Sequence, residues 1–170
     1  MTAFVALLRA VNVGGRQLKM NDLKSIAAEL GLDGARTFIA SGNLLFTSDK
    51  DEAALKRDLE RALTEHMGKV VEVMIRTADE MREAVAANPF ADEPPNRVVA
   101  IFFDRAPAAA AIGAAKNVAD ERLALGKREI YVHYPGGQGS SKLRLGVKAP
   151  GTARNMNSVA RLAELAKEMS

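Results

Sequence analysis

Two short apolar runs constrain the fold of this chain more than any other feature. FVALL covers residues 4–8, and VVAIFF covers residues 98–103. Both runs have the length of a strand rather than of a buried helix, and side chains in a strand alternate between the two faces of its sheet. A strand that is apolar at every position must be covered on both faces. Each run therefore predicts an interior strand.

The elements around the first run predict a βαββαβ order. Asn21 is a typical helix-start residue and Gly31 a typical helix-stop residue, so a helix is expected between them. Strands over 36–40 and 43–47 flank the turn sequence SGN, and a helix over 51–66 precedes a strand over 70–75. This order is that of the ferredoxin-like unit.

The second half repeats the pattern less completely. Thr77 and Glu80 form a capping-box pair for a third helix. The run of 98–103 is followed by an alanine-rich stretch from Pro107, which predicts a helix to Ala115, then by two short strands, a basic segment and a final helix from Ser158. We therefore expect an α+β protein: a ferredoxin-like subdomain over 1–88, a proline-rich linker over 89–97, and a degenerate, basic α/β subdomain over 98–170 packed against the first.

Charge is distributed unevenly along the chain. The net charge of the 170 residues is +3, but residues 1–95 carry −3 and residues 96–170 carry +6. Such a field attracts anions, although a merely soluble basic surface is the open alternative. The absence of cysteine excludes disulfides and a thiol nucleophile, and two histidines make no zinc cluster. We expect a cytoplasmic protein with no cofactor, no metal and no membrane partner, because the first apolar run is too short for a signal or a membrane span.

Two polar segments near the N-terminus read either as turns or as parts of an anion site. In RAVNVGGR (residues 9–16) the amides of Gly14 and Gly15 can hold an anion beside Arg9, or the glycines simply turn the chain off a strand. In SGN (41–43), Gly42 and Asn43 fit a two-residue hairpin turn, which alternatively presents a hydroxyl and an amide.

Two further segments lie near the C-terminus. In PGGQGSSKLR (135–144), Ser140 or Ser141 can cap a short helix carrying Lys142, and such a helix start favours phosphate; a flexible loop is the alternative. In TARNMNSV (152–159), Asn155 or Asn157 is expected to cap the last helix, with Arg154 reinforcing anion binding.

These four segments, in order and spacing, resemble the bacterial family catalogued as Domain of Unknown Function 1697. The resemblance implies an α+β fold with ferredoxin-like elements and brings no established activity. The family's recurrent polar positions match at Arg9, Asn12, Gly14, Gly15, Ser41, Gly42, Asn43, Lys142, Arg154, Asn155 and Asn157. Ala10, Ala40 and Met156 stand where the family commonly has glycine, glutamine and tryptophan, so this member lacks an aromatic ring at position 156.

We hypothesise one site assembled from all four segments, binding a phosphate-bearing ligand such as a nucleotide or nucleic acid. Its candidate ligand-binding residues are the matched positions together with Ser141. An enzyme acting on a phosphorylated small molecule, with Ser41 or Lys142 in the reaction, is one alternative; a self-assembling protein is another. Three phenylalanines, Phe4, Phe46 and Phe102, are expected in the core, which disfavours an open aromatic sheet face for RNA. His133 is expected to face solvent.

Overall fold

The structure is a computed structural model that describes residues 1–9, 17–38 and 42–170. Within these ranges the chain is a mixed α and β protein with two four-stranded antiparallel sheets and four α-helices. It divides into two compact units. Unit 1 contains Met1–Met81 and Leu162–Ser170, and unit 2 contains Arg82–Arg161. The division into folding domains at residues 89–97 stays a prediction.

Unit 1 contains six elements in βαββαβ order. They are β1 (Thr2–Leu8), α1 (Met20–Glu29), β2 (Asp33–Thr37), β3 (Asn43–Ser48), α2 (Glu52–Met67) and β4 (Val73–Thr77). The strands lie in the order β2-β3-β1-β4, and each neighbouring pair is antiparallel. All residues from 3 to 8 are buried. The predicted interior position of FVALL is therefore confirmed.

One face of this sheet packs against α1 and α2. Phe4 and Phe46 stack on neighbouring strands with their ring centroids 5.8 Å apart, and both are buried, as expected. Asp51 caps α2 by accepting a hydrogen bond of 2.8 Å from the Ala54 amide, and Gly68 ends the helix in the left-handed conformation, with φ of 70°. These two ends hold the apolar face of α2 in register with the sheet.

Unit 2 is built on the second sheet, and two further helices, α3 (Ala78–Ala86) and α4 (Met156–Met169), contain the unit boundaries. The strands are β5 (Val98–Phe102), β6 (Arg122–Leu125), β7 (Glu129–His133) and β8 (Thr152–Asn155), in the antiparallel order β6-β7-β5-β8. β5 is interior and Phe102 is buried, so both predictions for this run are confirmed. The capping box of α3 is also confirmed: the Glu80 amide donates to Thr77 Oγ1 (3.1 Å) and the Thr77 amide to Glu80 Oε1 (2.9 Å).

Two details of the second half differ from expectation. The alanine-rich stretch after Pro107 forms only a 3₁₀ turn at Ala109–Ala111, so the predicted helix is wrong. Ala111 is the buried residue of that turn, and a short helix with so little apolar surface to bury is marginal in water. The segment TARNMNSV, which was expected to lead into the last helix, begins with the strand β8. This strand forms because Arg154 and Ala153 pair with Ala100 and Ile101 of β5.

The proline-rich segment is largely exposed, as expected for a connection. Asp92, Pro94, Pro95 and Asn96 are exposed, and Pro95–Arg97 forms a 3₁₀ turn. Glu93 is half-buried, because its carboxylate lies against side chains of the second sheet described below.

Candidate ligand-binding site

A cavity of about 310 Å³ lies in unit 2 beside the glycine-rich segment that follows β7. Its lining comes from two stretches of chain, residues 117–121 and residues 134–142. The second stretch, called here the Lys142 loop, contains a 3₁₀ turn at Gln138–Ser140. A volume of this size is at the lower end of the range for small-ligand pockets.

A short hydrogen bond joins the two stretches. Ser141 Oγ donates to Glu121 Oε2 at 2.6 Å, and Glu121 Oε1 accepts from the Ala119 amide at 2.8 Å. The Ser141 hydrogen bond, followed by that of the Ala119 amide, lowers the pKa of Glu121. Ser141 Oγ also accepts from the Leu143 amide at 3.2 Å. The ionised Glu121 carboxylate therefore holds the Lys142 loop in place.

Lys142 is exposed at the edge of the cavity and has no hydrogen-bond or ion-pair partner among the described residues. The prediction that Ser140 or Ser141 caps a short helix carrying Lys142 is wrong, because the chain there is not helical. The Ser141 amide is instead used within the 3₁₀ turn, where it donates to Gln138 O at 3.1 Å. Lys142 thus contributes charge, without a helix terminus behind it.

Gly137 brings a second cation to the Lys142 loop. Its φ is 90°, and a Cβ atom at this position would meet the guanidinium of Arg97. The positive φ favours glycine at this position, and a larger side chain would have to displace the Arg97 guanidinium. The Arg97 carbonyl also accepts from the Tyr134 amide at 2.8 Å, which fixes the two stretches to each other. Arg97 falls within the predicted linker, and its proximity to Gly137 depends on strand pairing that no local pattern reveals.

The cavity is not purely cationic. Asp120 is exposed on its lining beside Glu121, and Asn117 lines it with a positive φ of 58°. Sequence reasoning missed the two acids, because they lie immediately before the basic stretch that begins at Arg122. The site therefore offers acceptors as well as a cation.

The predicted site residues of unit 1 are engaged in local contacts. Arg9 Nη1 lies 3.3 Å from Glu72 Oε1, and the side chain is partly exposed. Asn43 lies within β3, buried, and its Nδ2 donates to Phe38 O at 3.0 Å. The two-residue turn predicted at Gly42 and Asn43 is wrong, because Asn43 already lies in β3; Gly42 precedes the strand, and its carbonyl accepts from the Leu8 amide. Four predicted residues lie outside the described residues: Asn12, Gly14, Gly15 and Ser41.

The predicted residues of TARNMNSV lie at the junction of β8 and α4. Arg154 Nη1 donates to Thr152 Oγ1 at 2.8 Å and to Ala153 O at 2.9 Å, and burial lowers the pKa of Arg154 to about 10. Asn155 Oδ1 accepts from the Ser158 amide at 3.0 Å, so the capping role predicted for Asn155 is confirmed. Asn157 is exposed in the first turn. The cavity lining does not include Arg154, Asn155 or Asn157.

His133 is buried, so the expectation that it faces solvent is wrong. Its Nε2 lies 3.2 Å from Glu93 Oε2 and its Nδ1 lies 3.2 Å from Arg122 Nη2. A guanidinium has only donors, so Nδ1 accepts and Nε2 carries the proton toward Glu93. Arg122 also lies 4.9 Å above the ring of Phe90. These contacts attach the proline-rich segment to the second sheet.

No group of three or more potential metal ligands occurs among residues 1–9, 17–38 and 42–170. In the same part of the chain, no helix is both long enough and apolar enough to cross a membrane.

Comparison with known proteins places the chain in a family. No curated protein matches the sequence. The structure resembles that of the conserved bacterial protein SP0830 from Streptococcus pneumoniae, with a TM-score of 0.79, 23% sequence identity, and coverage of 97% of this chain and 98% of the other. This likeness shows a shared fold. The sequence model of a family described as "Protein of unknown function (DUF1697)" matches residues 1–131, which stops short of the Lys142 loop. The chain therefore belongs to the DUF1697 family of proteins of unknown function.

Proposed function

We propose that the protein is an anion-binding module whose ligand carries phosphate, and that the Lys142 loop of unit 2 holds that phosphate. The observation that carries the proposal is the exposed Lys142 at the edge of a cavity, with no ion pair among the described residues. A second guanidinium, that of Arg97, lies against Gly137 of the same loop. Charge-assisted hydrogen bonds from such groups are the strong contacts to phosphate.

The acids of the cavity restrict the class of ligand. Glu121 is already engaged by Ser141 and by the Ala119 amide, so it acts as a positioning residue. Asp120 is exposed on the lining and can accept hydrogen bonds from hydroxyl or N–H groups. A ligand with phosphate at one end and such donors at the other satisfies both charges. A nucleotide fits this description better than inorganic phosphate does.

The contributions of the other candidate residues stay predictions. They rank below Lys142, because Arg9 and Arg154 already have local partners. In the enzyme alternative, Lys142 would react from a closed pocket, whereas Lys142 is exposed; Ser41, the other candidate, lies outside the described residues. We also propose that unit 1 is ferredoxin-like, supported by its βαββαβ order and the strand order β2-β3-β1-β4, and that the protein acts in the cytoplasm, where nucleotides are abundant.

Titration with a nucleoside monophosphate, followed by calorimetry, tests the proposal. Lys142→Ala is expected to weaken binding about tenfold or more, because a hydrogen bond to a charged group contributes about 1.5–3 kcal/mol. Lys127→Ala is the matched control: it removes the same charge from an exposed residue that pairs with Glu83 at 3.0 Å. Inorganic phosphate should bind more weakly than the nucleotide. Equal affinity of the wild type and Lys142→Ala would refute the proposal, as would a complete absence of nucleotide binding.

A further inference from the structure

We infer that the phosphate-bearing ligand is a single-stranded nucleic acid whose backbone follows a basic ribbon in unit 2; this inference rests on the proposed function. The basic ribbon consists of residues 141–148 together with Lys116. Along it, Leu143, Leu145 and Val147 are half-buried against the core of unit 2. The intervening Lys142, Arg144 and Lys148 are exposed. A burial period of two residues is that of an extended chain, so these cations share one outward face.

Lys116 joins this face through an isolated pairing with Arg144. The Lys116 amide donates to Arg144 O at 2.8 Å, and the Arg144 amide donates to Lys116 O at 2.9 Å. Residues that exchange both hydrogen bonds stand directly opposite each other, with their side chains on the same face. Like charges in this arrangement repel and destabilise the pair. A bound polyanion relieves that repulsion.

The cations of the basic ribbon differ from two other exposed cations of unit 2, Arg122 and Lys127. Arg122 lies 3.4 Å from Glu93, and Lys127 lies 3.0 Å from Glu83. None of the four ribbon cations forms an ion pair with a described residue. The ribbon therefore presents four positive charges, without a paired acid among the described residues, to an outside anion. Same-face neighbours such as Lys142 and Arg144 are about 6.6 Å apart along an extended chain, so each can meet a separate phosphate of a flexible strand.

The chemistry of the cavity selects nucleic acid over an acidic protein segment. Lys142 belongs both to the cavity edge and to the ribbon, so a strand with one nucleotide in the cavity continues directly over Arg144. A nucleotide offers N–H and hydroxyl donors to Asp120, whereas an acidic peptide brings further carboxylates to it. All five aromatic side chains of unit 2 are buried, namely Phe90, Phe102, Phe103, Tyr131 and Tyr134. Binding therefore depends on phosphate contacts, with little base stacking and little sequence preference.

Fluorescence anisotropy with labelled oligothymidylate and oligouridylate of about twelve nucleotides tests the inference. We expect both to bind at least tenfold more tightly than the nucleoside monophosphate. Four phosphate contacts predict a slope of log affinity against log salt of about −3, and Arg144→Ala should make that slope shallower by about 0.7. Lys127→Ala, with the same loss of charge, should leave the slope unchanged.

The outcomes separate this inference from the proposed function. If the oligonucleotides bind no more tightly than the mononucleotide while Lys142→Ala still weakens mononucleotide binding, the ribbon assignment fails and the cavity assignment survives. If neither ligand binds, both fail. A polyglutamate of equal charge that competes as well as oligothymidylate would also overturn the assignment, since the ribbon would then recognise any polyanion.

Discussion

The hydroxyl of Tyr131 donates a hydrogen bond of 2.5 Å to the backbone carbonyl of Ala84, and both groups are buried. Ala84 lies in the last turn of α3, where carbonyls lack a partner within the helix. The Asn88 amide donates to Val85 O instead. The strand residue Tyr131 therefore completes the C-terminus of α3.

Replacing Tyr131 by phenylalanine should destabilise the fold. The variant keeps the ring but leaves the Ala84 carbonyl without its hydroxyl donor, which costs about 1–2 kcal/mol. Urea unfolding measures this change in the free energy of unfolding. Tyr134→Phe is a suitable comparison, because that hydroxyl has no hydrogen-bond partner among the described residues. An equal loss in both variants would contradict the role given to the Ala84 contact.

The same hydroxyl predicts a stability change at alkaline pH. Burial, followed by the nearby charge of Glu129, raises the pKa of Tyr131 above its ordinary value of 10. The unfolded chain therefore releases this proton before the folded chain does, and the stabilisation is complete below pH 10 and is lost as pH rises beyond it. Unfolding measured between about pH 9 and about pH 11 should show a shallower decline for Tyr131→Phe than for the wild type. Parallel declines would exclude this linkage.

The interior strands were predictable from sequence because their signal is local. FVALL and VVAIFF are apolar at every position, and both lie inside their sheets. The capping roles predicted for Thr77 and Asn155 also depend on residues three positions away, and both appear in the structure. The alternation of Leu143, Leu145 and Val147 with more polar residues was an equally local signal of an extended chain. The prediction of a loop and a helix start in this segment did not use it.

The cavity could not be predicted, because it depends on contacts between distant residues. Arg97 meets Gly137 only because β5 pairs with β7, and Glu121 meets Ser141 across a separation of twenty residues. His133 alternates with apolar residues in IYVHY, and this alternation predicts a side chain that faces solvent. In the structure Glu93 of the proline-rich segment covers it. Tertiary contacts therefore decided what local periodicity left open.

The Glu121–Ser141 hydrogen bond predicts a difference in stability between the wild type and Ser141→Ala that depends on pH. Because this bond lowers the pKa of Glu121 below its ordinary value of 4.5, its stabilisation is present above that pH and is lost as pH falls through the folded-state pKa. Ser141→Ala should therefore unfold at a lower temperature than the wild type at neutral pH, and the two should converge in acid. Hydrogen exchange at the Leu143 amide, which also donates to Ser141 Oγ, should be faster in the variant. A difference that persists unchanged in acid would argue against Glu121 as its source.

The capping role of Asn155 can be tested by its effect on stability. Asn155→Ala removes the side-chain acceptor of the Ser158 amide and should lower the free energy of unfolding by about 1 kcal/mol. Asn155→Asp keeps an acceptor and should retain that stability. Asn157→Ala, in the exposed first turn of α4, should change stability less. Chemical denaturation of the three variants measures these effects, and an Asn157→Ala loss as large as that of Asn155→Ala would place the cap elsewhere.

A side chain at Gly137 should be destabilising, in contrast to one at the nearby Gly139. In Gly137→Ala the positive φ of 90° costs about 1–3 kcal/mol, and the new methyl must displace the Arg97 guanidinium that now occupies its position. Gly139 has no positive φ, and no atom lies within 4 Å of the place that an alanine methyl would take, so Gly139→Ala should be neutral or slightly stabilising. Because Arg97 is one of the two cations assigned to phosphate, Gly137→Ala should also weaken nucleotide binding, whereas Gly139→Ala should not. Thermal unfolding and calorimetry on the two variants give both measurements. A Gly137→Ala protein with wild-type stability would show that the loop adopts another conformation, and one with lower stability but unchanged affinity would remove Arg97 from the binding site.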